Sequence, residues 1–129
     1  MLFAFLLATG APAPGIAGDW LTADRTAIVR VGPCGERLCG TVVRVLARGK
    51  GVPSTDVNNP DRALRSHPLV GLKVLTGFAR DGSGWTGGRA YDPKTGGSYR
   101  AKLSLGGDNS LTVTGCILFI CKSQRWTRR

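Results

Sequence analysis

The chain has 129 residues, a formal net charge of +10 at pH 7, 19 glycines and 7 prolines. This length suffices for one small domain with a single hydrophobic core, which excludes a multidomain organisation. The strongly positive charge predicts anionic contacts, with an envelope surface as the expected partner.

The first predicted element is a secretory signal peptide over residues 1–17. Residues 2–8 form an apolar run that is too short to span a bilayer, and small residues follow it at Ala11, Ala13 and Ala17. No later apolar stretch approaches the roughly 20 residues of a membrane helix. We therefore expect an exported protein, periplasmic or secreted, with no transmembrane segment and one domain over residues 18–129.

The remaining chain favours short β-strands over helices. The clearest strand is 98–105, where Tyr99, Ala101 and Leu103 alternate with polar residues. Glycine-rich and Asp-rich turns separate the others. The predicted strands are 18–22, 26–31, 38–46, 72–80, 84–91, 98–105, 110–116 and 122–127.

One connection, residues 47–71, is longer than the rest. Within it, Asn59 followed by Pro60 and Asp61 predicts a helix start capped by Asn59. We expect a single helical turn that continues to about Arg65 and ends before Pro68.

Eight sequential antiparallel strands predict an all-β, single-domain, up-and-down barrel, because closure removes exposed strand edges. Connections then alternate between the two ends of the barrel. Cys34 and Cys39 lie at one end and Cys116 and Cys121 at the other, too far apart for cross-pairing. Two local disulfides are therefore expected, each stabilising the fold by about 2 kcal/mol. A zinc site built from all four thiolates is excluded by the same separation.

The order of short motifs along the chain resembles that of domain of unknown function 2147, a group of small exported bacterial proteins. The resemblance covers nearly all of the predicted mature chain. It implies a lipocalin-like (calycin-like) barrel and supplies no catalytic residues. The motifs are Gly18-Asp19-Trp20, Cys34-Gly35, Leu38-Cys39-Gly40, Asp56, Asn58-Asn59-Pro60-Asp61, Pro68-Leu69-Val70-Gly71, Trp85-Thr86-Gly87-Gly88, Tyr91-Asp92-Pro93, Gly96, Tyr99, Gly115-Cys116 and Gln124-Arg125-Trp126-Thr127-Arg128.

The likeness to lipocalins also predicts which end of the barrel is closed. Lipocalins carry a Gly-x-Trp motif at the start of the first strand, beneath an arginine from the last strand. Here Trp20 has that position, and Arg125 or Arg128 is expected over its indole as a cation–π contact. An ordinary buried tryptophan is the alternative, and both interpretations are structural.

The opposite end is the predicted ligand mouth, formed by the 47–71 connection, the 92–97 turn and the 116–121 loop. The last of these holds an apolar run, residues 117–120, where polar residues are the rule. Such a run serves as a lid, as an insertion into a membrane or partner, or as part of a ligand entrance. The candidate mouth residues are Asp56, Asn59, His67, Tyr91, Asp92, Tyr99, Leu118 and Phe119.

The sequence lacks the residue combinations that a catalytic site or a metal site requires. His67 is the only histidine and Glu36 the only glutamate, and Ser66 is only a sequence neighbour of His67. Residues 56–61 lack the glycine and terminal glutamate of a calcium loop. We expect neither enzymatic activity nor a cofactor or metal. Nucleic-acid binding is also not expected, since the basic residues are dispersed without a stacking platform.

Two functions remain open from the sequence. The first is a carrier or sensor of a small apolar ligand or lipid, since an eight-stranded barrel is wide enough for one small molecule. The second is a non-catalytic, envelope-associated binding or structural module whose barrel is packed solid. A monomer is expected in either case.

Overall fold

In a computed structural model, which describes residues 15–46 and 53–129, the chain forms a closed barrel of eight antiparallel strands. Each strand pairs with the next along the chain, and β1 pairs with β8 to close the ring. The predicted all-β, up-and-down barrel is confirmed. The strands are β1 (Gly18–Leu21), β2 (Ala27–Cys34), β3 (Arg37–Val45), β4 (Lys73–Asp81), β5 (Gly84–Asp92), β6 (Gly97–Leu105), β7 (Ser110–Ile117) and β8 (Ile120–Arg128).

The β3–β4 connection carries a 3₁₀ helix over Arg62–Leu64. Its N-cap is Asp61, whose carboxylate accepts a hydrogen bond from the Ala63 backbone amide at 3.0 Å. The predicted cap, Asn59, lies two residues earlier and accepts from the Asp61 amide at 2.8 Å. Asx residues compete for such local bonds, which explains why the helical turn was predicted correctly but its cap was not. Residues 47–52 of the predicted 47–71 connection lie outside the described residues.

Both predicted disulfides are present, Cys34–Cys39 and Cys116–Cys121. Their Cα atoms are 5.6 Å and 4.1 Å apart, respectively. The first bridges the β2–β3 hairpin at one end of the barrel, and the second bridges the β7–β8 hairpin at the other end. Each disulfide therefore fixes one hairpin, and neither links the two ends.

The core fills the half of the barrel on the side of the β2–β3 hairpin, which we call the closed end. Trp20 is fully buried there, and Phe78, at 1% exposure, packs against Gly88. A Cβ atom on Gly88 would lie 2.5 Å from the Phe78 ring, so only glycine fits at this position. The other large residues of this half are Val31, Trp85, Leu103 and Leu111.

Two arginines cover tryptophans at the closed end. The Arg128 guanidinium lies 4.1 Å from the centroid of Trp20, and that of Arg80 lies 4.9 Å from Trp85. Arg128 is thus the cation predicted over Trp20, whereas Arg125 forms an ion pair with Asp108 in the β6–β7 turn. Arg80 was not predicted from the sequence.

The segment that precedes β1 also contacts the closed end. Ile16 is 5% exposed, and its carbonyl accepts a hydrogen bond from the Trp20 indole at 2.9 Å. Arg128 donates to the carbonyls of Gly15 and Ala17 at 2.6 Å and 3.0 Å. Residues 15–17 therefore pack with the barrel, although they fall inside the predicted signal peptide. The rest of that peptide, residues 1–14, lies outside the described residues.

Candidate functional site

The half of the barrel opposite Trp20 encloses a cavity of about 620 Å³. This volume lies within the range of small-molecule sites, roughly 300–1,000 Å³. The apolar wall comes from strands all around the barrel, since every second residue of a strand points inward. Its members are Val29, Val42, Val74, Leu75, Ala90, Val113 and Trp126. The barrel is therefore packed at the closed end and hollow at the mouth.

A few polar groups interrupt this apolar wall on β6 and β8. Lys122, Gln124 and Trp126 alternate along β8 and all three line the cavity. The Trp126 indole donates to the Gln124 side-chain oxygen at 3.1 Å. Lys122 lies opposite Gly115 near the rim, and Tyr99 lines the same side from β6. A ligand in this cavity would thus meet apolar side chains at depth and two lysines, Lys94 and Lys122, near the entrance.

An ion pair crosses the mouth of the cavity. Asp24 lies in the β1–β2 connection and Lys94 in the β5–β6 turn, and their side chains are in direct contact. In the closed ring, four strands separate these two connections in either direction, so they stand on opposite sides of the mouth. We call this pair the mouth bridge.

The environment of Asp24 keeps the bridge charged at ordinary pH. Partial burial disfavours the carboxylate, but hydrogen bonds from Lys94, Thr26 and Thr22 outweigh it and lower the pKa of Asp24 to about 2. Because this pKa is depressed in the folded state, the contribution of the bridge is complete above the ordinary value of 3.8. It is lost only as the pH falls toward 2.

The β3–β4 connection holds the β5–β6 turn in place from outside the cavity. The Asn58 side-chain amide donates to the carbonyls of Pro93 and Lys94 at 3.0 Å and 3.1 Å. Asp56, at 1% exposure, accepts from the Tyr91 hydroxyl at 2.7 Å. Burial and the bond to Asp56 both raise the pKa of Tyr91, so the hydroxyl stays protonated as a donor.

Five of the eight residues predicted at the mouth line the cavity. They are Tyr91, Asp92, Tyr99, Leu118 and Phe119. The other three do not line it. Asp56 and Asn59 bond to each other at 2.8 Å within the connection, and the exposed His67 contributes a backbone carbonyl to the Asp56 amide. The oxygens of Asp56 and Asn59 are thus used for turn structure rather than for a ligand.

The β7–β8 hairpin ends in four apolar residues, Ile117–Ile120, which we call the apolar tip. Their exposed fractions are 58%, 85%, 97% and 72%, so the tip is not a lid packed into the core. Leu118 has φ 55°, a left-handed conformation that costs a non-glycine residue about 1 kcal/mol. At three turns of the closed end, the left-handed residues are Gly35, Gly82 and Asn109, as turn chemistry favours. The tip therefore carries leucine where glycine would be more stable.

Four residues of the mouth and cavity wall were not predicted from the sequence: Asp24, Lys94, Lys122 and Gln124. The alternation of Lys122, Gln124 and Trp126 offered a signal, since Trp126 marks the inner face of β8. The contact between Asp24 and Lys94 offered none, because 70 residues separate them.

A family model described as an uncharacterized protein conserved in bacteria, DUF2147, matches residues 18–128. No curated protein matches the chain. Among solved structures, the chain is similar to protein HP1028 from the human pathogen Helicobacter pylori, which is described as belonging to the lipocalin family. The two are 18% identical with a TM-score of 0.78, over 91% of this chain and 84% of that one.

Among the described residues, no helix is both long and apolar enough to cross a membrane.

Proposed function

The chain belongs to the bacterial family DUF2147, and we propose that it is an exported carrier or sensor of a small apolar ligand or lipid. The single observation that carries this proposal is the cavity of about 620 Å³ at the mouth of the barrel. An apolar interior with a few polar groups is typical of binding sites for small organic molecules. A barrel packed solid throughout, the alternative from the sequence, would leave no such volume.

Two further features support this function. The disulfides suit an oxidising compartment outside the cytoplasm, where such bonds persist. Among the described residues, the cavity lining contains no histidine, and its two carboxylates already accept hydrogen bonds: Asp24 from Lys94, Thr22 and Thr26, and Asp92 from the Lys94 backbone amide. We therefore propose binding without catalysis.

The mouth bridge acts in this proposal as a gate. Entry of a ligand of cavity size requires the Asp24–Lys94 contact to open, because the pair spans the mouth. Lys94 is 63% exposed, so the attraction is screened by salt and is weak enough to break repeatedly.

The proposal is tested by native mass spectrometry of protein purified without denaturant from the cells that make it. We expect an additional mass that disappears after unfolding and refolding in clean buffer. The refolded protein should then bind N-phenyl-1-naphthylamine, an uncharged apolar probe whose fluorescence rises in apolar surroundings. Absence of both the retained mass and probe binding would reject the carrier and favour the envelope-associated module.

A prediction follows for the mouth bridge. Asp24→Asn should accelerate both entry and release of the probe by up to about fivefold, the equivalent of the roughly 1 kcal/mol of an exposed ion pair. The equilibrium affinity should change little, because the bridge opposes passage in both directions. Raising the salt concentration should accelerate exchange in the wild type and leave the variant unaffected. Stopped-flow fluorescence measures the rates of entry and release at each salt concentration, and the ratio of the two rates gives the affinity.

The matched control is Asp108→Asn, which removes the same charge from the Arg125 pair at the closed end. It should leave the exchange rates unchanged. Equal acceleration by both variants would mean that net charge, rather than the bridge, controls entry.

A further inference from the structure

The apolar tip is more exposed to solvent than ligand binding in the cavity requires. Within residues 15–46 and 53–129, seven large hydrophobic side chains are exposed, and all lie on connections or strand ends at the mouth end. The tip supplies four of them, and the β3–β4 connection supplies Val57, Leu64 and Val70. Exposed apolar groups concentrated on one face mark an interaction surface.

The strained backbone of the tip and the disulfide that anchors it also favour an interaction surface. Leu118 keeps a left-handed backbone that glycine or asparagine would adopt at lower cost. The Cys116–Cys121 disulfide ties the hairpin directly below the tip, since Cys116 pairs with Cys121 and Ile117 with Ile120. The hairpin thus presents its leucine and phenylalanine to solvent on a fixed base.

Cations surround this base. Arg100 pairs with Cys116 across the sheet, and Arg89 pairs with Arg100 one strand further on. Because these residues pair directly and adjacent strands are about 5 Å apart, Arg89 and Arg100 lie at the same height along the barrel as the disulfide. Lys122 lies on the other side of the same hairpin, at the cavity rim. The three ion pairs among the described residues involve Arg30, Lys94 and Arg125, which leaves Arg89, Arg100 and Lys122 outside those pairs.

We infer that the apolar tip docks the mouth of the barrel on an anionic phospholipid bilayer. Leu118 and Phe119 insert between the acyl chains, and Arg89, Arg100 and Lys122 lie at the level of the phosphate groups. Apolar insertion together with a basic collar is the combination that holds proteins at membrane interfaces. A protein partner with an apolar groove would use the tip but would not require anionic charge.

The test is sedimentation with vesicles of phosphatidylglycerol and phosphatidylcholine in equal parts, at low salt. The wild type should bind, and Leu118→Ser with Phe119→Ser should weaken binding about 100-fold, since burial of each side chain is worth about tenfold. The matched control is Val57→Ser with Val70→Ser, which removes two exposed apolar residues of the β3–β4 connection, outside the tip. This control should retain most of the binding.

The charge requirement is tested separately. Arg100→Gln should weaken vesicle binding about fivefold, whereas Arg37→Gln, which removes the same charge at the closed end, should have a smaller effect. Vesicles of phosphatidylcholine alone should bind the wild type poorly. A Phe119→Trp variant should show a blue shift of its emission when anionic vesicles are added.

Two outcomes would overturn the inference: failure of the wild type to bind anionic vesicles, or binding that the tip variant leaves unchanged. A protein complex that depends on the tip, without vesicle binding, would identify a protein partner instead. Probe binding in the absence of vesicles is measured in parallel. Docking and cavity binding can therefore fail independently.

Discussion

Replacing Trp20 with alanine should lower the free energy of unfolding by about 3–5 kcal/mol, the cost of a large aromatic in a close-packed core. Trp20 is 0% exposed, donates to the Ile16 carbonyl at 2.9 Å and lies beneath the Arg128 guanidinium. Alanine would leave a cavity, an unpaired carbonyl and a cation without its ring. Chemical denaturation followed by circular dichroism measures the loss.

The matched control is Tyr99→Ala, an aromatic truncation in the hollow half. Tyr99 is only partly buried and lines the cavity, so it has fewer packing partners to lose. We expect a cost of about 1 kcal/mol or less. Equal costs at the two sites would contradict the division of the barrel into a packed half and a hollow half.

The architecture was predictable because local signals agree with one another. The alternation in residues 98–105 predicts a strand with one buried face, and β6 spans Gly97–Leu105 with Ala101 and Leu103 buried. Short glycine and aspartate turns separate most of the strands, which favours a meander over crossed connections. Because successive connections of a closed meander barrel alternate between its two ends, the two disulfide hairpins are expected at opposite ends.

How far side chains fill the barrel interior was not predictable from the same signals. The alternation of a strand identifies inward residues but does not say how far their side chains reach toward the barrel axis. Phe78 fills the closed half because Gly88 faces it, whereas Ala90 and Val113 leave space in the other half. Whether a barrel is hollow depends on such pairings between strands, which a single strand pattern does not contain.

Two errors have a common physical origin. Asp56 and Asn59 were predicted at the ligand mouth because their oxygens occur in a polar loop there, and Asn59 was predicted as the helix cap. In the fold, Asp56 accepts from the Tyr91 hydroxyl and from the Asn59 side-chain amide, Asn59 accepts from the Asp61 backbone amide, and Asp61 is the actual cap, which accepts from the Ala63 amide. Asx residues stabilise their own turns readily, so their presence in a loop is weak evidence for a bound ligand.

The strongest test of the cavity is to fill it from its wall. Ala90 points inward from β5, opposite Tyr99 on β6 and Leu75 on β4, and a tryptophan there would project into the open volume. Ala90→Trp should lower the affinity for N-phenyl-1-naphthylamine at least about tenfold, or 1.4 kcal/mol, because the added ring occupies the ligand volume. The midpoint of unfolding should change little, since the ring enters a cavity rather than a packed region. Fluorescence titration and chemical denaturation measure the two effects.

Ser104→Trp is the matched control, because it adds the same side chain to the exposed face of β6. It should leave probe affinity unchanged. Ala90→Trp should also leave vesicle binding intact, whereas the Leu118→Ser and Phe119→Ser double variant should lose vesicle binding while retaining the cavity. Unchanged probe affinity in Ala90→Trp would mean that the probe binds elsewhere, for example on the exposed apolar tip. A large loss of stability without loss of binding would mean that the wall around Ala90 is packed and that the ligand volume lies nearer the rim.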